Sequence, residues 1–405
     1  MKGVTKSMKS IRSLFKIGNG PSSSHTMGPK KATEYILKKY PNSDMIFIEL
    51  CGSLAATGIG HLTQYIMEKT LKGKNYSISY VKEEKSHPNT MIFHIYSNNQ
   101  CIGEEEIYSI GGGTIWVKGE KEVEEKELYP ERNFEEILNK CQQEKWELVQ
   151  YVLHYEGETI FEYMEECYAV MMHNIQVGLE KEGLLPGELR VSRKARTIYL
   201  NQKENEKQEH KEKRLVSAYA FAASEENASG AIVVTAPTCG ASGVLPALIR
   251  YLEEQGFEHE QILKGMLVAG LIGSLIKQNA SISGAECGCQ AEIGTACSMG
   301  AAFVSYVYHQ DIHKIEHAAE IALEHHLGLT CDPIKGYVQI PCIERNAVAA
   351  LRSIEVAVLS ELLNSESQKI SLDTVVETML ETGRDLLKSY RETAEGGLAK
   401  NYHEC

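Results

Sequence analysis

The sequence has no basic excess, no long apolar run and no internal repeat. Lys and Arg total 42 against 55 Asp and Glu, a net charge of −13, and no basic stripe interrupts that balance. A nucleic-acid partner is therefore not expected, because a phosphate backbone calls for a clustered cationic face. The longest apolar stretch, GMLVAGLIGSLI at 265–276, falls well short of the ~20 residues that span a bilayer. It reads as a buried core helix, and no membrane association is expected. The N-terminal MKGVTKSMKSIRSLFK is basic but lacks an apolar segment, which argues against a secretory signal; a cytoplasmic protein is expected. The 11 cysteines are odd in number in a 405-residue chain, which does not suit a disulfide scaffold. In a reducing compartment, clustered cysteines are ligands or nucleophiles more often than bridges.

What is present is an ordinary globular balance, 43% hydrophobic and 24% charged, in two parts of different texture. Residues 14–118 mix strand and helix signals. MIFIELCG (45–52), YSISYV (76–81), TMIFHIYS (90–97) and EEIYSI (105–110) are β-branched or aromatic with partial alternation. KKATEYILKKY (30–40) and roughly 54–72 read as helix. A charged run, VKGEKEVEEKELYPERNFEE (117–136), separates these from a second part that is helical in pattern to the end. GAIVVTAPTCGASG (230–243) is the exception and reads as a strand followed by a loop. The fold expected is α+β: a small N-terminal α/β-sandwich-like domain over 1–130, then an all-helical domain over 131–405 whose loops hold the chemistry, with a C-terminal tail.

GNGPSSSHTMGPKKA (18–32) places Ser22, Ser23, Ser24, His25 and Thr26 before a helix that Pro29 is suited to start. Hydroxyls and free N–H groups at a helix N-terminus favour an anion, a carboxylate or a phosphate, although a single helix cap needs only one hydroxyl. His61 follows a small-residue segment in CGSLAATGIGHLTQ. His87 and Asn89 lie beside a strand in SHPNTM. A histidine near its ordinary titration range is the natural general base, and His61 and His87 are the two candidates; a lone histidine can equally be a satisfied structural group. The Gly triplet 111–113 ends a strand.

Five cysteines fall within 56 residues: Cys287, Cys289, Cys297, Cys331 and Cys342. Cys289, Cys331 and Cys342 stand where helices should break, between glycine and glutamine, before Asp-Pro and after proline. That placement suits thiols pointing into a cavity, with Cys287 and Cys297 as rival ligands. Thiolates select zinc or iron–sulfur clusters, and the spacing matches neither a zinc finger nor a ferredoxin run. A cluster, a zinc ion and buried structural thiols all remain open on spacing alone. His313 and His317, four apart, form a zinc-like pair with no thiol nearby.

The motifs GPSSSHT, GSLAATGIGH, YSIGGG, LLPGEL, NASGAIVVTAPTCGASGVLPAL, NASISGAECGCQAEIGTACSMGAA and GLTCDPIKGYVQIPCIERNA resemble, in order and along nearly the whole chain, the iron–sulfur-dependent L-serine dehydratases. In one chain the sequence looks like a fusion of two subunits that some members keep separate. The resemblance implies a [4Fe–4S] cluster held by Cys289, Cys331 and Cys342, and conversion of L-serine to pyruvate and ammonia. It also implies a substrate-binding role for residues 22–26, with Asn89 and Arg345 as further candidates. His61 matches the histidine of a family Gly–His–Gly–Thr–Asp stretch, which reads Gly60-His61-Leu62-Thr63-Gln64 here, so Leu62 replaces a glycine and Gln64 an aspartate; Lys335 likewise stands where the family usually has glycine. A homodimer is expected. A lyase acting on threonine or cysteine, or a cluster-bearing sensor, are the alternative readings, and a pyridoxal-phosphate route lacks a convincing lysine. Cys405 ends the chain after Gly396 and Gly397, a flexible hinge by composition, and is read as a resting fourth ligand that substrate displaces.

Overall fold

The computed structural model describes residues 7–83, 85–121 and 127–403. The strands are β1 Met8–Lys9, β2 Ile17–Asn19, β3 Met45–Cys51, β4 Asn75–Val81, β5 Thr90–Ser97, β6 Gln100–Ser109, β7 Ile115–Val117, β8 Glu127–Tyr129 and β9 Ile232–Val234. Strands β3 to β7 form one sheet in the order β4-β3-β5-β6-β7, antiparallel except for the parallel β3–β4 pair. Alternation along these strands sends Ile46, Ile48, Leu50, Met91, Phe93 and Ile95 to one face. Helices α1 (Gly28–Lys39), α2 (Ser53–Thr57) and α3 (Thr63–Thr70) follow in the same region, and Ala32, Ile36, Ile66 and Met67 cover that face. The opposite face is mixed, with Phe47 packed against His94 and His94 between Glu49 and Glu104. This is a two-layer α/β sandwich, as the alternating strands predict.

The helix expected over 54–72 is interrupted. Residues 58–62 form a turn between α2 and α3, and His61 sits in that turn. Leu62 closes it with φ 56°, a left-handed conformation that a β-carbon disfavours by roughly 1–2 kcal/mol.

The remainder is helical: α4 Phe134–Glu144, α5 Leu148–Glu156, α6 Ile160–Glu180, α7 Ala195–Leu200, α8 Gln208–Ala228, α9 Val244–Glu254, α10 His259–Asn279, α11 Gly284–Cys287, α12 Thr295–Val307, α13 Ile312–Glu324, α14 Cys342–Leu362, α15 Leu372–Asp385 and α16 Gly397–Asn401. The mixed α+β class expected from the sequence is the one observed. Helix α12 is buried along almost its whole length. Its sequence TACSMGAAFVSYV is rich in small side chains, so α9, α10, α13 and α14 approach it closely. The GMLVAGLIGSLI run lies within α10 and is buried throughout, and among the described residues no helix is long and apolar enough to cross a membrane. The N-terminal residues are shared between the parts. Met8, Ile11, Leu14 and Phe15 belong to the helical core, β1 pairs with β8, and β2 pairs with β9.

Candidate metal centre and active site

Each of the three cysteines sits at a break in regular structure. Cys289 caps a helical run that begins with residues 290–294 and continues as α12, and Cys342 is the first residue of α14. Both thiols therefore lie at the positive end of a long helix, which favours a thiolate or an anionic cluster. Cys331 lies on the loop between α13 and α14. Among the described residues, one group of three or more cysteine, histidine or carboxylate side chains converges closely enough for a metal. Cys289, Cys331 and Glu292 bring their ligand atoms within 4.8 Å of one another.

The two thiols share a proton. A hydrogen bond from Cys331 holds Cys289 below its ordinary range, against its burial, and Arg345 reinforces the effect. The same bond, with burial, holds the Cys331 proton in place. Burial, with Cys289 and Glu292 nearby, pushes Cys342 up. Two converging soft thiols, Cys289 and Cys331, with Cys342 near enough to feel the charge of Cys289, form a donor set suited to an iron–sulfur cluster. The rivals are structural. Cys287 faces α15, where a β-carbon on Gly383 would lie 2.6 Å from its sulfur. Cys297 donates to the carbonyl of Ala349 and packs against Ser353. His317 faces Glu320 on its own helix at 4.0 Å.

Two histidines stack beside this centre. Ser22 caps the helical run that starts at Ser23, accepting from the N–H of His25 at 3.2 Å; helix begins six residues before Pro29. Both ring nitrogens of His25 meet hydroxyls, Nδ1 that of Ser24 at 2.8 Å and Nε2 that of Ser53 at 2.9 Å. Burial and the adjacent His61 lower its pKa to about 3, so the ring is neutral at working pH. The Thr26 hydroxyl donates to the carbonyl of His61 at 2.8 Å, and that of Thr63 donates to the carbonyl of His25. These bonds tie the 22–26 loop to the 58–62 turn and stack the two imidazoles 4.6 Å apart.

His61 is 1% exposed. Its Nδ1 lies 3.0 Å from the carbonyl of Thr57 and must donate there, so Nε2 is the acceptor whenever the ring is neutral. Nε2 has no hydrogen-bond partner and faces Glu392 at 3.6 Å. The aspartate-to-glutamine change at Gln64 does not disturb this arrangement. Gln64 is a surface residue bonded to Glu68 and Tyr80. His87 is not stacked with this pair, although its loop packs against it, the N–H of Ser53 donating to the carbonyl of Pro88 at 2.8 Å. The His87 ring packs 5.6 Å from that of Tyr108, and its Nδ1 accepts from the N–H of Asn89 at 3.0 Å. Asn89 donates to the carbonyl of Ser109 and keeps a buried, unpartnered Oδ1. Arg345 donates to the carbonyl of Thr330 at 2.6 Å and lies 3.7 Å from Asp332.

The sequence reading missed two carboxyls. Glu292 is wedged against Cys331, 3.8 Å from its sulfur, and burial together with Glu392 and Cys289 raises its pKa far above the carboxylate range. A single acidic residue in the small-residue run GCQAEIGTAC was the available signal. Glu392 comes from the C-terminal segment. Burial works against its charge, but His61, His25 and the N–H of Ala285 outweigh it and hold the carboxyl below its usual range. The segment is pinned to the cysteine loop. Cys331 N–H donates to the carbonyl of Tyr390 at 2.8 Å, and Glu392 N–H to the carbonyl of Cys331 at 2.7 Å. Gly396 and Gly397, expected as a flexible hinge, instead close against Asp332, which accepts from the N–H of Leu398 at 2.6 Å. A β-carbon on Gly397 would overlap that carboxylate. Cys405 lies outside the described residues.

Comparison with known proteins agrees with this geometry. The family described as serine dehydratase beta chain matches residues 10–78, and the one described as serine dehydratase alpha chain matches residues 66–399. An L-serine dehydratase of Haemophilus influenzae is 38% identical, over 97% of this chain and 99% of its own length. L-serine dehydratase 1 of Escherichia coli is 36% identical over 97% and 99%. The enzyme of Streptomyces coelicolor is 35% identical over 98% and 99%.

Proposed function

This chain belongs to the serine dehydratase family, and we propose that it converts L-serine to pyruvate and ammonia with a [4Fe–4S] cluster held by Cys289, Cys331 and Cys342. The observation that carries the reading is the convergence of buried Cys289 and Cys331 with the unpartnered Nε2 of His61, bridged by a C-terminal segment bonded to Cys331 and facing His61. When bound, a cluster with one iron free of protein thiolate supplies a Lewis acid for the departing hydroxyl.

The chain's own residues supply the rest. The loop 22–26 receives the substrate carboxylate at the start of its helix. His61, its tautomer fixed by Thr57, takes the α-proton on Nε2. His25 is neutral and holds the stacked ring in place. Arg345 offsets the negative charge gathered at Cys289. Loss of the α-proton and of the β-hydroxyl gives aminoacrylate and water. Tautomerisation and hydrolysis then release pyruvate and ammonia, with no net oxidation. The domain over 1–130 binds substrate and the one over 131–405 holds the cluster. The enzyme is cytoplasmic and a homodimer, for which the exposed Val358, Leu359, Leu362 and Leu363 on and beside α14 offer an apolar contact face.

Protein purified without oxygen is expected to carry about four irons per chain, to be brown, and to form pyruvate from L-serine. Iron-loaded protein that forms no pyruvate would indicate a sensor, and turnover of threonine or cysteine in preference to serine would reassign the substrate. Ser24→Ala is expected to weaken substrate binding by about 1–3 kcal/mol, the range for leaving a buried hydrogen-bonding group without its partner, with iron content unchanged. An unaltered KM in that variant would remove the 22–26 loop from the substrate site.

A further inference from the structure

L-serine presents four groups to this site, and the proposed reaction leaves one of them without a receptor. The carboxylate goes to the 22–26 loop, the β-hydroxyl to the cysteine side and the α-proton to His61. The α-ammonium needs an acceptor, and burying it unpaired would be costly. We propose that Glu392 receives the substrate ammonium, and so makes the site choose an amino acid over the matching 2-hydroxy acid. This rests on the dehydratase reading above.

Two independent observations lead there. The first is the placement of the carboxylate. Glu392 is carried between the stacked histidines and the cysteines by a residue whose own backbone is left-handed, φ 58°, and whose N–H is bonded to the carbonyl of Cys331. Such a conformation in a non-glycine residue persists only where its surroundings impose it. The second is the state of His61. Its Nε2 is 3.6 Å from the Glu392 carboxylate and has no hydrogen-bond partner although the ring is 1% exposed. With His61 neutral, as a general base must be, Nε2 and the carboxylate are two acceptors facing one another across a gap too long for a hydrogen bond. An ammonium is a triple donor with a positive charge. Seated against Glu392, it satisfies the carboxylate and places the neighbouring Cα–H beside the Nε2 lone pair. The same carboxylate repels the substrate's own carboxylate and turns it towards the 22–26 loop. The other acidic group of the site, Glu292, lies against the two thiols and faces the cysteine end.

The test uses two ligands that lack a β-hydroxyl and cannot be dehydrated: L-alanine, and L-lactate, in which a hydroxyl replaces the ammonium. Their dissociation constants are measured by calorimetry on anaerobic, iron-loaded enzyme whose serine turnover has been verified. Wild type is expected to prefer L-alanine. Glu392→Gln is expected to weaken L-alanine about ten- to hundredfold, the loss of a charge-assisted hydrogen bond, and to leave L-lactate within about twofold or tighter, so that the preference collapses. If Glu392→Gln lowers kcat but leaves the alanine-to-lactate ratio unchanged, Glu392 acts only on His61 and the proposal fails. Should Glu392→Gln lose its iron, the same ratio in Glu392→Asp decides: a fall supports the assignment, and no change overturns it. Wild-type enzyme that carries iron but does not turn over serine overturns the dehydratase reading, and this inference with it.

Discussion

Cys331→Ala is expected to lose bound iron, colour and pyruvate formation together, with turnover falling to background. Three protein thiolates are the minimum anchor for a cube with one free iron, and Cys331 shares its proton with Cys289, so its removal also strips the hydrogen bond that holds Cys289 below its ordinary range. The chain should still fold, because alanine keeps both backbone bonds that pin the C-terminal segment, Cys331 N–H to Tyr390 and Glu392 N–H to Cys331. Cys289→Ala and Cys342→Ala should behave alike. Cys101→Ala, at an exposed position, and Cys141→Ala and Cys167→Ala, in the helical core, should retain iron and rate, as should Cys287→Ala against α15. Iron analysis and the visible spectrum read the result directly. Retained iron in Cys331→Ala would remove it from the ligand set.

His61→Ala is expected to lower kcat by roughly 10²–10⁴, the usual contribution of a positioned general base, with iron content intact. The argument is geometric: Nδ1 is committed to Thr57, Nε2 is buried and unpartnered, and the ring lies against the carboxylate of the C-terminal segment. His87 has no comparable setting, its Nδ1 being used by Asn89, so His87→Ala should keep near-full rate. Steady-state kinetics on both variants decides. Loss of rate in His87→Ala with retention in His61→Ala would exchange the roles.

The strands, the change of texture and the meeting of Cys289 with Cys331 were legible in the sequence for physical reasons. Alternation along 45–51 and 90–97 reports a half-buried sheet face. Cysteine beside glycine and proline reports a loop that points inwards. Glu392 and Glu292 were not legible. Their importance comes from contacts between segments some 40 to 330 residues apart, Glu292 with Cys331 and Glu392 with His61, and no local pattern encodes such a meeting. The break at 58–62 was also hidden, because the small residues of GSLAATGIG suit helix and turn alike. The two departures from family glycines are explained only by the backbone. Leu62 has φ 56° and Lys335 φ 51°, so both side chains occupy the conformation a glycine would adopt freely. The neighbouring structure, not local preference, fixes those turns.

The turn that carries His61 also touches the loop that carries Cys331, backbone against backbone. A β-carbon on Gly60 would stand 2.7 Å from the carbonyl oxygen of Gly336. Side chains at an interface can rotate aside or be exchanged for smaller ones, whereas two main chains in contact have nothing left to trim. The gap between base and cysteines is therefore a fixed gauge. Substitution at Gly60 can only widen it and move His61 away. A descendant of this protein that came to accept a bulkier amino acid would have to find the room in the walls of the cleft, and leave that spacing alone.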